Sequence, residues 1–280
     1  MESIRTNVDQ VCADFRSIKE KIVEHGVEVA DGTPTSEYAS KVDEVYEAGK
    51  DVEAQSWWDL VTDGGIKETM NYLFYNADFN TIIGGFSPPY TLKPIYAGFI
   101  LSNTKGVKKI TKEHIDFSSA LSCNYSFTNC YDLEEIEEIS VPNSHMWLFS
   151  GCTNLKSIGK FILKENTQVS ANPPFSSCTA LENISVEGII PNSISFQWSS
   201  KLTRDSMLGK LATSEQIAEG KNLFTVNGIT YYGGIFGALK NFVEEGLGNT
   251  ATITLHATPK ALLTDEEKLV VTDTLGWTIA

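Results

Sequence analysis

Apolar side chains in the first fifty residues recur at alternating intervals of four and three. From Ile4 the pattern holds for nearly three heptads, and helix-favouring charged residues fill most of the other positions. This spacing is typical of a coiled-coil seam, because the a and d positions of a heptad face a partner helix. The predicted oligomerisation seam consists of Ile4, Val8, Val11, Phe15, Ile18 and Ile22. A short amphipathic helix that packs on its own domain or folds back in a hairpin would show the same pattern.

A second helix is predicted after the turn-rich residues 31–36, with its apolar stripe at Tyr38, Val42 and Val45. A helical hairpin of this size buries too little apolar surface to be stable alone. We therefore interpret residues 1–49 as a helical attachment or oligomerisation segment. It would pack on another copy, on another protein or on the domain that follows, and residues 50–69 would form the junction.

The middle of the chain repeats Phe, Cys, Leu and Ile at intervals of three residues. The strings FTNCYDLEEI, FSGCTNLKSI and FSSCTALENI share the frame F-x-x-C-x-x-L-x-x-I, and weaker copies begin at Leu73, Leu101 and Phe196. Successive first positions lie 21 to 28 residues apart, within the range of leucine-rich repeats. The predicted repeat core is Phe127, Cys130, Leu133, Ile136, Phe149, Cys152, Leu155, Ile158, Phe175, Cys178, Leu181 and Ile184.

These copies predict an α/β repeat solenoid of about six turns over residues 70–205. One turn of this length cannot bury its apolar edge until neighbouring turns stack on it. Three-residue spacing favours a short helical turn. Alternating apolar pairs favour a strand after it, at Ile115/Phe117, Ile139/Val141, Phe161/Leu163 and Ile184/Val186. The three cysteines would form an interior ladder of small apolar side chains.

Charge and composition narrow the classes of function. The chain has 36 acidic and 22 basic residues and a net charge of −14, which disfavours nucleic acid as a partner. It has no apolar run long enough for membrane insertion, and its opening residues do not resemble a secretory signal. Five cysteines without a C-x-x-C pair and four scattered histidines predict neither a metal site nor a disulfide framework.

Motifs for catalysis are absent from the sequence, so no catalytic or cofactor-binding residues are predicted. The acidic run at 134–138 lacks the spacing and glycine turn of a calcium loop, and a solvated face is the preferred interpretation. The acidic string Thr264-Asp265-Glu266-Glu267 is interpreted as a capping box at a helix start. Binding surfaces use tyrosine and tryptophan as anchors. The candidate surface-binding residues are Tyr125, Tyr131, Trp147 and Trp198, for which core packing is an equal alternative.

The F-x-x-C-x-x-L-x-x-I frame resembles the BspA-like leucine-rich repeats of bacterial surface proteins. In that family the solenoid is generally an adhesive or recognition surface without catalysis. The front NVDQVCADFRSIKEKI, the junction SWWDLVTDGG and the closing TITLHATPKALLTDEEKLVVTDTLGWTIA are similar to segments of proteins from phages and prophages of Gram-positive bacteria. Residues 206–280 would then form a C-terminal α+β cap.

Residues 212–246 depart from that pattern as an insertion in the cap. They contain a capping box at Thr213 and Gln216, a hairpin signal at Val226-Asn227-Gly228-Ile229, and a glycine-rich apolar stretch at 231–239. This stretch would be either an exposed contact loop or the packed end plate that a solenoid needs, and the end plate is favoured.

The resemblance implies a non-enzymatic phage or prophage virion protein associated with the tail or baseplate. Its N-terminal helices would bind other virion proteins or further copies of the chain, and the repeats would contact a host cell-surface glycan or protein. Assembly in the host cytoplasm would explain the absence of a signal peptide. Two alternatives are a cell-surface leucine-rich-repeat adhesin and a glycan-active enzyme, which would need two acidic groups roughly 5–9.5 Å apart.

Overall fold

A computed structural model describes residues 69–81, 85–142, 145–163, 173–190, 193–246 and 251–280. The predicted helical segment 1–49, its seam from Ile4 to Ile22 and nearly all of the junction lie outside the described residues. The coiled coil therefore stays a prediction.

A parallel four-stranded sheet occupies the middle of the chain. Its strands are β1 (Lys109–Ile110), β2 (Glu135–Val141), β3 (Ser157–Leu163) and β4 (Asn183–Gly188), and they pair in that order. Ile136 pairs in register with Ile158, which pairs with Ile184, so the isoleucines of the sequence frame occupy neighbouring positions. Their side chains are buried, because one face of the sheet lies against the core.

Four turns of six residues precede or accompany these strands, at 71–76, 98–103, 124–129 and 146–151. Backbone hydrogen bonds join each turn to the next: Tyr72 N donates to Gly98 O at 2.9 Å, Phe99 N to Asn124 O at 3.0 Å, and Tyr125 N to Met146 O at 2.9 Å. The four turns thus lie side by side and place equivalent residues in rows.

Phenylalanine side chains form the centre of the core beneath the sheet. Phe127 and Phe149 stack at 5.4 Å between ring centroids, Phe149 and Phe175 at 5.8 Å, and Phe175 and Phe196 at 4.9 Å. All four rings are fully buried. The remaining residues of the three matched frames are also buried, so this part of the chain contributes a continuous apolar interior.

The C-terminal part contains two further sheets. In the first, β5 (Ile194–Phe196), β9 (Thr252–Leu255) and β10 (Thr278–Ile279) pair in parallel in the order β10-β9-β5. In the second, β6 (Gly209–Leu211), β7 (Leu223–Val226) and β8 (Ile229–Gly233) are antiparallel in the order β6-β8-β7. The predicted hairpin is confirmed, since Val226 pairs with Ile229 and both Asn227 and Gly228 have positive φ.

Among the described residues, five short α-helices accompany these sheets, together with a 3₁₀-helix at Phe117–Ser119 and a π-helical turn at Val270–Thr274. The α-helices are α1 (Arg204–Leu208), α2 (Ser214–Glu219), α3 (Ile235–Glu244), α4 (Ala257–Ala261) and α5 (Asp265–Leu269). Capping boxes predicted from the sequence begin α2 and α5. Each box satisfies backbone groups that the first turn of a helix leaves without partners.

The predicted fold class, an α/β repeat solenoid with an α+β cap, is wrong, and the predicted helical front lies outside the described residues. The described residues form a mixed α/β fold with one parallel four-stranded sheet and few helices. Among them, the copy at Leu101 is followed by a strand of only two residues, and β5 pairs with β9 instead of β4.

The outer edge of β4 explains why the sheet ends there. The backbone N–H of Ile184 donates to Ser206 Oγ at 3.0 Å, and that of Gly188 donates to Asn222 Oδ1 at 2.9 Å. These bonds engage backbone N–H groups of β4 that would otherwise pair with a fifth parallel strand. Asn241 reinforces the closure, because its Nδ2 donates to Gly188 O and to Asn222 Oδ1, both at 2.8 Å.

The first weak copy is also displaced by one residue from its predicted position. Phe74 N donates to Ile100 O at 2.8 Å, as Leu101 N donates to Ser126 O at 2.9 Å. Phe74 is therefore the structural equivalent of Leu101, and Leu73 is not. The sequence frame misplaced this copy because Leu and Phe are adjacent and both apolar.

Candidate functional site

Two of the four predicted surface residues occupy equivalent places in neighbouring turns. Tyr125 and Trp147 are the second residues of the turns at 124–129 and 146–151, and both are half-buried. Tyr131 and Trp198 lie elsewhere, with 54% and 48% of their surface exposed. The structure therefore groups Tyr125 with Trp147 and separates both from Tyr131 and Trp198.

Tyr72 and Phe99 occupy the same place in the two preceding turns and complete a row. The Phe99 ring lies 4.6 Å from Tyr72 and 4.6 Å from Tyr125 between centroids, with interplanar angles of 7° and 4°. We call Tyr72, Phe99, Tyr125 and Trp147 the aromatic column. Three of its rings form a parallel stack, and Trp147 continues the row in the next turn.

All four residues of the aromatic column have left-handed backbone conformations. Their φ angles are 60°, 58°, 59° and 52° in chain order. Bulky side chains rarely adopt this region, and each instance costs on the order of 1–3 kcal/mol. Such a conformation persists only where the surrounding structure enforces it, and four instances at one turn position make this row the least expected feature of the backbone.

Asparagine side chains help to hold the turns in place. Gly98 N donates to Asn71 Oδ1 at 2.5 Å, and Met146 N donates to Asn124 Oδ1 at 2.7 Å. Each asparagine immediately precedes a tyrosine of the aromatic column, so its amide ties that tyrosine's turn to the next one. This bridging fixes the spacing of the rings.

The aromatic column is partly open to solvent. Tyr72 is 39% exposed, and Tyr75 beside it is 40% exposed. The Tyr75 ring meets Tyr72 edge-on at 5.7 Å and Phe99 edge-on at 6.4 Å. Partial burial, followed by the proximity of Tyr75, raises the pKa of the Tyr72 phenol, so this hydroxyl is neutral and able to donate at physiological pH.

Charged residues are absent from the four turns that carry the column. Their sequences are NYLFYN, GFILSN, NYSFTN and MWLFSG, in a chain of which 21% is charged. By contrast, lysine and glutamate pair along the sheet, at 2.8 Å for Lys109 with Glu135 and 3.0 Å for Lys112 with Glu138. The surface therefore has an ion-paired part and an uncharged aromatic part.

The cysteines of the frame lie inside and act as hydrogen-bond donors. Cys152 Sγ donates to Phe127 O at 2.8 Å, and Cys178 Sγ donates to Phe149 O at 3.1 Å. Burial raises the pKa of both thiols, which keeps them protonated. A buried, protonated thiol is a poor nucleophile and metal ligand, so we assign these cysteines a structural role.

The described histidines are engaged locally and lie apart. His114 Nδ1 accepts from Thr111 N at 3.2 Å, His256 caps α4, and His145 Nδ1 donates to Pro142 O at 2.9 Å. Burial lowers the pKa of His114 and of His145, which favours neutral rings.

Metal-binding clusters and membrane-spanning helices are absent from the described part of the chain. No group of three or more histidine, cysteine or acidic side chains is placed to hold a metal ion there. None of the helices described there has both the length and the apolar character needed to cross a membrane.

The sequence analysis missed Tyr72 and Phe99. The signal that could have found them is an aromatic residue two positions before the first position of a frame, which holds at Phe99, Tyr125 and Trp147 but not at Pro173 or Ile194 in the last two frames. The one-residue displacement of the first copy hid Tyr72, because the frame had been anchored on Leu73.

Comparison of the chain with protein-family models, with curated proteins and with solved structures finds no match in any of the three.

Proposed function

We propose that this protein is a non-enzymatic binding protein that attaches to a host cell surface through the aromatic column. The resemblance in the sequence suggests the setting, a phage or prophage virion with this chain at the tail or baseplate. Residues 1–49 would then join it to other virion proteins or to further copies of itself.

The observation that carries the proposal is the row of four partly exposed rings in left-handed turns. A fold that needs only a stable core has no use for bulky residues in that region, where glycine or asparagine would cost less. Aromatic side chains also give large contact areas at low entropic cost, which is why they anchor binding surfaces. Strain retained at one surface row is typical of a functional site.

The local engagement of the described histidines, of Glu134 and of Glu187 supports binding in preference to catalysis. Glu134 pairs with Lys156 at 2.5 Å, and Glu187 lies 3.8 Å from Lys160. Lysine pairing lowers the pKa of Glu134, so this carboxylate is ionised and is poorly suited to act as a general acid.

Cell binding tests this proposal directly. The fluorescently labelled full chain is incubated with a panel of intact Gram-positive cells, and bound protein is measured by flow cytometry. Tyr125→Asn removes a ring of the column but suits the left-handed backbone, because asparagine tolerates that region. Tyr131→Asn is the matched control, since Tyr131 is exposed and lies outside the column.

The proposal expects binding to at least one strain, a loss of about tenfold or more in affinity for Tyr125→Asn, and unchanged affinity for Tyr131→Asn. Circular dichroism and a melting curve establish that both variants are folded. Equal binding by both variants, or no binding to any strain, would overturn it.

A further inference from the structure

The stacked geometry of the aromatic column determines which part of each ring a ligand can reach. Both faces of Phe99 are covered, by Tyr72 on one side and Tyr125 on the other, each at 4.6 Å. Solvent therefore meets this ring at its edge. An aromatic edge carries partial positive charge, whereas the face carries the negative charge that attracts cations. The stack thus favours electron-rich oxygen atoms over a cationic ligand.

Side-chain amides and hydroxyls accompany the rings in the same turns. Asn76, Asn103 and Asn129 end three of the turns, all with positive φ, and Asn129 Nδ2 donates to Asn103 Oδ1 at 3.0 Å. An amide offers both donors and acceptors, as do the phenols of the neighbouring tyrosines. A ligand with many hydroxyl groups, each of which both donates and accepts, matches this set.

Electrostatics excludes charged polymers as preferred ligands. The four turns contain no lysine or arginine to pair with phosphate or carboxylate groups, and the chain as a whole carries a net charge of −14. A polyanion would be repelled at long range and would find no counter-charge within the four turns. No carboxylate lies in the turns to receive a polycation either.

Three rings of the aromatic column are regularly spaced along one line across successive turns. The rings of Tyr72, Phe99 and Tyr125 recur at 4.6 Å from one turn to the next, and Trp147 occupies the equivalent position in the turn that follows Tyr125. A periodic row presents the same contact repeatedly, which suits a linear polymer with a repeating unit and gives affinity through several weak contacts.

From these observations we infer that the ligand of the aromatic column is an uncharged, hydroxyl-rich polysaccharide, bound along the row of ring edges and amides. This inference rests on the proposed binding function and specifies the chemical class of the partner.

Purified cell walls of Gram-positive bacteria, treated with protease, are the probe for this inference. Binding of the full chain to the walls is measured by co-sedimentation at 50 mM and at 500 mM sodium chloride, before and after periodate oxidation, which cleaves sugar diols. Walls from which anionic polymers have been extracted form a second sample. Tyr125→Asn and Tyr131→Asn are measured alongside.

The inference expects binding that survives protease treatment and anionic-polymer extraction, changes less than about twofold between the two salt concentrations, and is lost after periodate. It also expects a loss of about tenfold or more for Tyr125→Asn only. Binding that falls steeply with salt or disappears with the anionic polymer would overturn it in favour of a polyanion.

Binding to intact cells that is weakened by Tyr125→Asn and is lost after protease treatment of the cells would identify a protein ligand. That result would overturn the inference and leave the proposed function standing. Failure to bind both intact cells and walls would overturn the proposed function itself, so the two failures are distinguishable.

Discussion

Two of the buried thiols, those of Cys152 and Cys178, should make the protein less stable at alkaline pH. Both side chains are inaccessible to solvent, and each donates its S–H to a backbone carbonyl, which a thiolate cannot do. Burial raises the pKa of each thiol in the folded state, so both remain protonated there while the unfolded chain ionises near pH 8.5. Their stabilising contribution is therefore complete below pH 8.5 and is lost as the pH rises above it.

The magnitude follows from proton linkage. At one pH unit above the pKa of the unfolded thiol, each thiol that stays protonated in the folded state lowers the free energy of unfolding by about 1–2 kcal/mol, which gives about 3 kcal/mol for the pair. Urea unfolding at pH 7.5 and 9.5, followed by tryptophan fluorescence in the presence of a reductant, measures this loss.

Cys178→Ala is the control for this effect. It removes one of the two thiols, so the decrease in unfolding free energy between pH 7.5 and 9.5 should fall by about 1 kcal/mol relative to the unsubstituted chain. Lysines and tyrosines that titrate in this range contribute equally to both proteins. An identical pH dependence in the two proteins would refute the assignment of these thiols as buried, protonated donors.

Three further predictions concern other buried positions. The free energy of unfolding should fall between pH 6.5 and 5.5, because burial lowers the pKa of His145 and the ring protonates more readily in the unfolded chain. His145→Asn should reduce this fall by up to about 1 kcal/mol, measured by urea unfolding. Ser199→Cys should raise the free energy of unfolding by about 1 kcal/mol, measured by urea unfolding. The buried Ser199 hydroxyl has no partner among the described residues, whereas the equivalent cysteines donate to carbonyls. Gly188→Ala should lower the thermal midpoint by several degrees, because φ is +89° and a Cβ would lie 2.0 Å from Leu163 O.

Local features of the fold could be predicted from the sequence because neighbouring residues determine them. The Asn227-Gly228 hairpin and the capping boxes at Thr213 and Thr264 are confirmed. Alternating pairs predicted the strands β2, β3 and β4 correctly. The similar pair Ile115 and Phe117 forms no strand: Ile115 makes an isolated bridge, and Phe117 begins the 3₁₀-helix.

The fold class could not be predicted because residues remote in sequence decide where the sheet ends. Ser206 and Asn222 close the edge of β4, and no local pattern indicates that their side chains reach Ile184 and Gly188. β5 then pairs with β9, whose residues lie almost sixty positions later. The periodicity of the copies therefore led to the prediction of too many equivalent turns.

Only two of the four residues of the aromatic column could be predicted from the sequence, for a different reason. Tyr125 and Trp147 were chosen as aromatic residues beside the frame, but Tyr131 and Trp198 fitted the same criterion. What separates the two pairs is the left-handed backbone and the bonding between turns, and intrinsic preferences argue against tyrosine or tryptophan in that conformation. Only the coordinates bring Tyr72 and Phe99 into the same row.

Hydroxyl-radical footprinting of the unsubstituted full chain on bound cells tests the central claim most directly. Oxidation of each aromatic side chain is measured by mass spectrometry with and without cells of a strain that binds. We expect strong protection of Tyr72, Phe99, Tyr125 and Trp147, with Tyr131 and Trp198 unchanged. Protection confined to Tyr131 or Trp198, or to the exposed Leu211 and Ile229 of the antiparallel sheet, would contradict the assignment of the aromatic column as the binding surface.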